Sequence, residues 1–211
     1  MGDWKQSGRA LVRPLVAGLD RLGFTPLAVT LLGLVISAGA AAAAAGGRLR
    51  LAAALLVVGA GFDTLDGELA RRQGKVSRQG AFLDSNLDRV GESLLFAGLL
   101  WHALAGLPEP RPVTALLILL ATAGSLMTSY ARARAEGLGT SCREGLFQRP
   151  ERMILVIVGL LLGWTALEWI IGLLAALTLA TTVQRIVHVY RKLAAAPAAS
   201  DGQPVGKDGQ S

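Results

Sequence analysis

Four aspartates carry the chemistry this sequence offers. Asp63, Asp66, Asp84 and Asp88 lie within or at the ends of two apolar runs, where each ionised carboxylate at membrane depth costs roughly 2.5–3.5 kcal/mol or more. On a helix, Asp63, Asp66, Gly67, Ala70 and Arg71 form one stripe, and Gly80, Asp84 and Asp88 form a second. A helical hairpin is expected to turn the two stripes toward each other. Four carboxylates at one pocket repel and take up protons unless hard cations lie between them; two divalent ions, Mg²⁺ or Mn²⁺, balance the charge. Neither stripe contains Cys or His, which disfavours zinc and copper. Two carboxylate-held metal ions beside an aqueous surface suit displacement at phosphorus, because they orient phosphates and stabilise the attacking and leaving oxygens. Gly67, Ala70 and Gly80 are small where bulk is expected, which leaves room for a nucleotide or a neighbouring helix.

The elements that must hold these residues are membrane helices. Of 211 residues, 52% are apolar and only 17% charged, and the mean hydropathy of +0.48 exceeds that of soluble domains. Apolar runs at 26–47, 51–71, 80–105, 112–134, 152–167 and 169–190 predict an all-α integral membrane protein with six transmembrane helices. Residues 1–25 carry apolar positions at helical spacing beside Lys5, Arg9, Arg13 and Arg21, the pattern of an amphipathic helix lying on anionic lipid, with Pro14 as a bend or break. The transmembrane domain is expected over 26–193 and a disordered tail over 194–211. The first apolar run begins only at Pro26, so no cleavable signal peptide is expected. The single cysteine, Cys142, excludes a disulfide within the chain and receives no role. His102 and His188 read as surface or interfacial residues.

Six spans place both termini on one side, and all but Arg48, Arg50 and Arg111 of the 21 Lys and Arg fall on that side. By the positive-inside rule both termini and the active site are cytoplasmic, in a bacterial-type inner membrane. The net charge of +6 is thus concentrated where anionic lipids and phosphorylated substrates would meet it, and nucleic acid is not expected as a partner.

The string Asp63-Thr-Leu-Asp66-Gly67-Glu-Leu-Ala70-Arg71, followed at fixed intervals by Gly80, Asp84 and Asp88, resembles the signature of the CDP-alcohol phosphotransferase (phosphatidyltransferase) family at all eight fixed positions. The resemblance covers about residues 20–190. It implies that Asp63, Asp66, Asp84 and Asp88 ligate the metals, that Asp88 is also the general base, and that Gly67, Ala70, Arg71 and Gly80, with Asp63 and Asp66, border the CDP moiety. An acceptor hydroxyl would then attack the lipid-linked phosphorus of CDP-diacylglycerol and expel CMP. The family's Pro-Asn-x-x-Thr element stands here as Pro26-Leu-Ala-Val-Thr30, which keeps a nucleotide contact from Thr30 and loses the Asn. The family also implies a homodimer.

For the acceptor, Ser129–Glu136, Gln148–Arg152 and Val183–Arg185 resemble phosphatidylinositol-phosphate synthases, with Arg132 where Lys is common. Arg132, Arg152 and Arg185 would receive the phosphate of a phosphorylated polyol, inositol 1-phosphate ahead of glycerol 3-phosphate, serine or free inositol. No carboxylate is expected to pair with them, since metals would occupy the nearby acids. The plainer alternatives are an ion-pair network for the aspartates and topology alone for the arginines. A cation transporter would instead spread its acids through the membrane depth on several spans.

Overall fold

A computed structural model of the chain describes residues 13–142 and 148–195, and among these every regular element is a helix. Residues 13–21 form α1; then follow α2 (Pro26–Ala45), α3 (Leu49–Arg72), α4 (Arg78–Trp101), a π-turn (His102–Gly106), α5 (Pro112–Gly137), α6 (Arg149–Leu162) and α7 (Trp164–Ala195). The expected tail and the first half of the expected surface helix lie outside the described residues, except that α7 runs two residues into the span assigned to the tail.

Local signals set these boundaries. Thr25 caps α2, its Oγ1 accepting from the Ala28 N–H at 3.2 Å, with Pro26 at the first helical position. Ser77 caps α4 in the same way, accepting from the Gly80 N–H at 3.0 Å. The fifth and sixth apolar runs divide earlier than their hydropathy suggests: Gly163 takes φ 99°, which stops α6 at Leu162 and gives Trp164–Leu167 to α7. Only α2, α5 and α7 among the described helices are long and apolar enough to cross a membrane by length and composition. α3 and α4 match that length, at 24 residues each, but carry the charged stripes. α6 has 14 residues, a rise of about 21 Å against the ~30 Å of a bilayer's hydrocarbon.

α3 and α4 follow one another through a short loop and turn their stripes to one opening, as expected, but the two helices do not pack directly. Both helices pack on α2 instead, and hardly touch each other. Small residues cause this: a Cβ built on Gly91 of α4 would lie 3.2 Å from the Ser37 side chain of α2, and one on Gly59 of α3 would lie 3.7 Å from the same hydroxyl. Farther along, Gly98 sits directly on the backbone of Ala41. α2 is therefore a wedge between the two carboxylate helices. The main core joins Leu95, Leu99, Ile118, Leu160, Leu167, Ile171 and Leu174, all at most 1% exposed, from α4 to α7. A smaller cluster of Val16, Val29, Leu65 and Leu69 fastens α1 to α2 and α3. Asp20 completes that joint, accepting from Arg72 Nε at 2.8 Å and Gln73 Nε2 at 3.0 Å, and these donors hold its carboxyl below the usual carboxylate range.

His102 and Cys142 are both buried, contrary to the surface position expected for the histidine. The His102 ring meets Trp164 edge-on at 4.8 Å and fills the space left by Gly47 and Gly106. Trp164 Nε1 and Thr114 Oγ1 each donate to Glu168 Oε1 at 2.9 Å, so this end of the bundle is closed by a small polar knot.

Candidate active site

The aspartates line the opening that α2 keeps between α3 and α4. Asp66 is buried, and Thr30 Oγ1 lies 2.7 Å from its Oδ2 and 3.0 Å from the Pro26 carbonyl. Thr30, for which a nucleotide contact is expected, also orients a carboxylate of the site. A Cβ on Gly33 of α2 would come within 3.6 Å of Asp63 Oδ1, so α2 also limits where that side chain can go.

Arg149, at the first turn of α6, crosses the opening. Its Nη1 lies 2.7 Å from Asp88 Oδ2 on α4 and 3.4 Å from Asp63 Oδ2 on α3. One cationic nitrogen is shared by a carboxylate from each stripe, and the Arg149 Nε is buried without a hydrogen-bond partner among the described residues. The described residues include no group of three carboxylate, imidazole or thiol side chains gathered closely enough to form a ready cage for a metal. The donor set is nonetheless all oxygen, drawn from two helices that stand apart, with a cation already attracted between them. That is the chemistry a hard divalent ion requires.

Gly67 and Gly80 border open space rather than a helix. A Cβ on Gly67 meets only the Arg71 guanidinium, at 3.6 Å, and one on Gly80 only Ser77 Oγ, at 3.2 Å. Among the described residues no neighbouring helix comes within 4 Å of either Cβ position. Arg71 pairs with Glu68 at 2.8 Å on the exposed face of α3.

Beside Asp88 opens a cavity of about 370 Å³ between α4, α5, α6 and α7, and Arg132, Arg149, Arg152 and Arg185 all line it. Each expected acceptor arginine reaches it from a different helix. Arg185 is 5% exposed, and its Nη1 donates to the Thr128 carbonyl at 2.7 Å. The α5–α7 seam beneath is drawn tight where Gly124 admits Thr178, and Thr128 and Thr182 hydroxyls lie 2.9 Å apart.

The expectation that these guanidiniums have no carboxylate partners fails. Arg132 pairs with Glu136 one turn along, at 2.9 Å. Arg152, 2% exposed, donates from Nε and Nη2 to Glu92 Oε1 and Oε2 at 3.1 and 3.3 Å. The sequence contains a signal for Glu92: it lies four residues after Asp88 and continues the Gly80, Asp84, Asp88 stripe by one more turn. Arg149 lies in the Gln148–Arg152 stretch that resembles phosphatidylinositol-phosphate synthases, but nothing in the sequence marks its reach to Asp88 and Asp63.

A family model described as CDP-alcohol phosphatidyltransferase matches residues 24–186. The chain belongs to that family. It is an integral membrane transferase of phospholipid biosynthesis. Relatives of this CDP-alcohol phosphatidyltransferase include the archaetidylinositol phosphate synthase of Methanothermobacter thermautotrophicus, 37% identical over 82% of this chain and 87% of the relative. The phosphatidylinositol phosphate synthase of Mycobacterium marinum is 37% identical over 94% of this chain and 87% of its own. The crystal structure of the Mycobacterium tuberculosis phosphatidylinositol phosphate synthase with manganese and citrate aligns with a TM-score of 0.80 at 33% identity, covering 93% of this chain and 95% of that one. The same enzyme with CDP-DAG bound aligns with a TM-score of 0.79 at 35% identity, covering 91% and 98%.

Proposed function

We propose that this enzyme transfers the phosphatidyl group of CDP-diacylglycerol to inositol 1-phosphate, giving phosphatidylinositol phosphate and CMP. The observation that carries the acceptor is the cavity at Asp88, into which α5, α6 and α7 each bring an arginine. Such a site suits a phosphate, which guanidiniums bind through charge-assisted, bidentate hydrogen bonds, and leaves free inositol or serine poorly matched. The relatives add support, since names that differ in the lipid part share inositol phosphate. The donor is supported by the CDP-DAG complex of the mycobacterial relative.

In this reading Asp88, at the boundary between cleft and cavity, accepts the proton of the acceptor hydroxyl. The hydroxyl oxygen bonds to the lipid-bearing phosphorus, and the bond to the CMP phosphate oxygen breaks, releasing CMP. Thr30 holds Asp66, while Asp63, Asp66, Gly67, Ala70, Arg71 and Gly80 flank the nucleotide. Asp63, Asp66, Asp84 and Asp88 would hold the divalent ions, Mg²⁺ or Mn²⁺ and two per site, which when bound offset the charge building on the phosphate oxygens. Six helices would span the membrane after a surface helix, with α3 and α4 sheltering their charges in the cleft, both termini and the site cytoplasmic, and two copies forming a homodimer.

The test supplies purified protein with CDP-diacylglycerol, a divalent cation and, separately, inositol 1-phosphate, glycerol 3-phosphate, serine or free inositol, and weighs the lipid product by mass spectrometry. Inositol 1-phosphate should give the highest kcat/KM. A better rate with an unphosphorylated acceptor would overturn the proposal.

A further inference from the structure

Glu92 lines the cavity with a buried carboxylate to which the proposed reaction gives no part. Glu92 is 6% exposed, and its carboxylate is fully engaged: Oε1 accepts from Arg152 Nε at 3.1 Å and from Ser125 Oγ at 2.7 Å, and Oε2 accepts from Arg152 Nη2 at 3.3 Å. Ser125 itself is 3% exposed. Three helices, α4, α5 and α6, thus meet in one buried network on the wall of the cavity that Glu92 and Arg152 both line.

The manner of engagement matters. Glu92 takes the guanidinium side-on, through Nε and Nη2, while Nη1 makes no hydrogen bond to any described residue. A guanidinium is planar, so fixing one edge fixes the direction of the remaining donors. From this geometry we infer that Glu92 is a positioning residue for the acceptor: it locks the Arg152 plane so that Nη1 is presented to the acceptor's phosphate, and Ser125 locks Glu92. The inference rests on the proposed use of this cavity by a phosphorylated acceptor.

Two effects oppose each other when Glu92 is removed. Its negative charge offsets the attraction of Arg152 for a phosphate, whereas its hydrogen bonds set the direction of that attraction. Orientation wins here, because a nearly buried guanidinium with two unpaired N–H edges turns toward whichever acceptors remain, and Asp88 and Glu136 line the same cavity.

The experiment uses the full chain in detergent, with CDP-diacylglycerol, Mn²⁺ and inositol 1-phosphate. Glu92→Gln should raise the acceptor KM about tenfold or more, a loss of roughly 1.4 kcal/mol of acceptor binding, and leave the KM for CDP-diacylglycerol within about twofold. Ser125→Ala, which keeps the ion pair and removes only its anchor, should raise the acceptor KM by a smaller factor, and Glu92→Asp should recover part of the loss. Those two variants carry the test if Glu92→Gln does not fold. In an Arg152→Ala background the same changes at 92 and 125 should leave the acceptor KM unmoved, since Glu92 acts only through Arg152. If Arg152→Ala and Arg185→Ala raise the acceptor KM but the changes at 92 and 125 do not, or if Glu92→Gln lowers it, the positioning role is wrong and the cavity assignment stands. If neither arginine variant moves the acceptor KM, the cavity assignment itself falls.

Discussion

Arg149 Nη1 lies 2.7 Å from Asp88 Oδ2, so the proposed base is paired with a guanidinium from another helix. That guanidinium is also 3.4 Å from Asp63, and it joins the two carboxylate stripes that α2 holds apart. The pair keeps Asp88 at the edge shared by cleft and cavity. Arg149→Ala should therefore reduce kcat/KM by about tenfold or more, read as initial rate against both substrates; a parent-like rate would make the contact incidental.

Asp88→Asn keeps the size and removes the base. Turnover should fall by about 10²-fold or more, with CDP-diacylglycerol still protecting the protein against thermal unfolding. Near-normal turnover would move the base elsewhere.

Activity should vanish in excess chelator and return on adding Mg²⁺ or Mn²⁺, because the carboxylates of α3 and α4 repel one another unless cations lie between them. Full turnover in chelator would end the metal reading.

Gly67→Leu should fold, since a Cβ there meets only the Arg71 guanidinium, whereas Gly80→Leu should cost some stability, since a Cβ there comes within 3.2 Å of the Ser77 Oγ that caps α4. Both should nonetheless weaken CDP-diacylglycerol binding by filling the space assigned to the nucleotide. A Gly80→Leu protein with unchanged donor KM would locate the nucleotide elsewhere.

Arg152→Ala and Arg185→Ala should both raise the acceptor KM strongly while hardly affecting that of the donor. Removing Arg152 also strands the buried Glu92, a loss of about 3–5 kcal/mol. The thermal unfolding midpoint of Arg152→Ala should thus fall, and an unchanged midpoint would mean that the Glu92 pair contributes little.

Much of this site could be read from spacing. Helical periodicity alone sorted Asp63 and Asp66 onto one stripe and Asp84 and Asp88 onto another, and apolar length marked the helices that carry them. What escaped was contact between helices distant in sequence. Nothing local says that Ser37 sits between Gly59 and Gly91, so spacing shows that the two stripes face each other but not that α2 stands between their helices. Arg149 stood in the Gln148–Arg152 stretch, but its contact with Asp88 joins helices far apart in sequence and no spacing reports it. Glu92 was one helical turn beyond the last residue of the signature, and its pairing with Arg152 depended on a helix that begins 57 residues later.

Ser37 has a mechanical consequence. Flanked by glycines on both sides, it acts as a spacer block whose thickness sets the gap between the two carboxylate stripes, some turns away from the aspartates. Enlarging it would be expected to change the distance between the facing carboxylates without altering any of them. Variation at 37, 59 or 91 is thus a gauge adjustment, invisible to anyone who inspects only the aspartates.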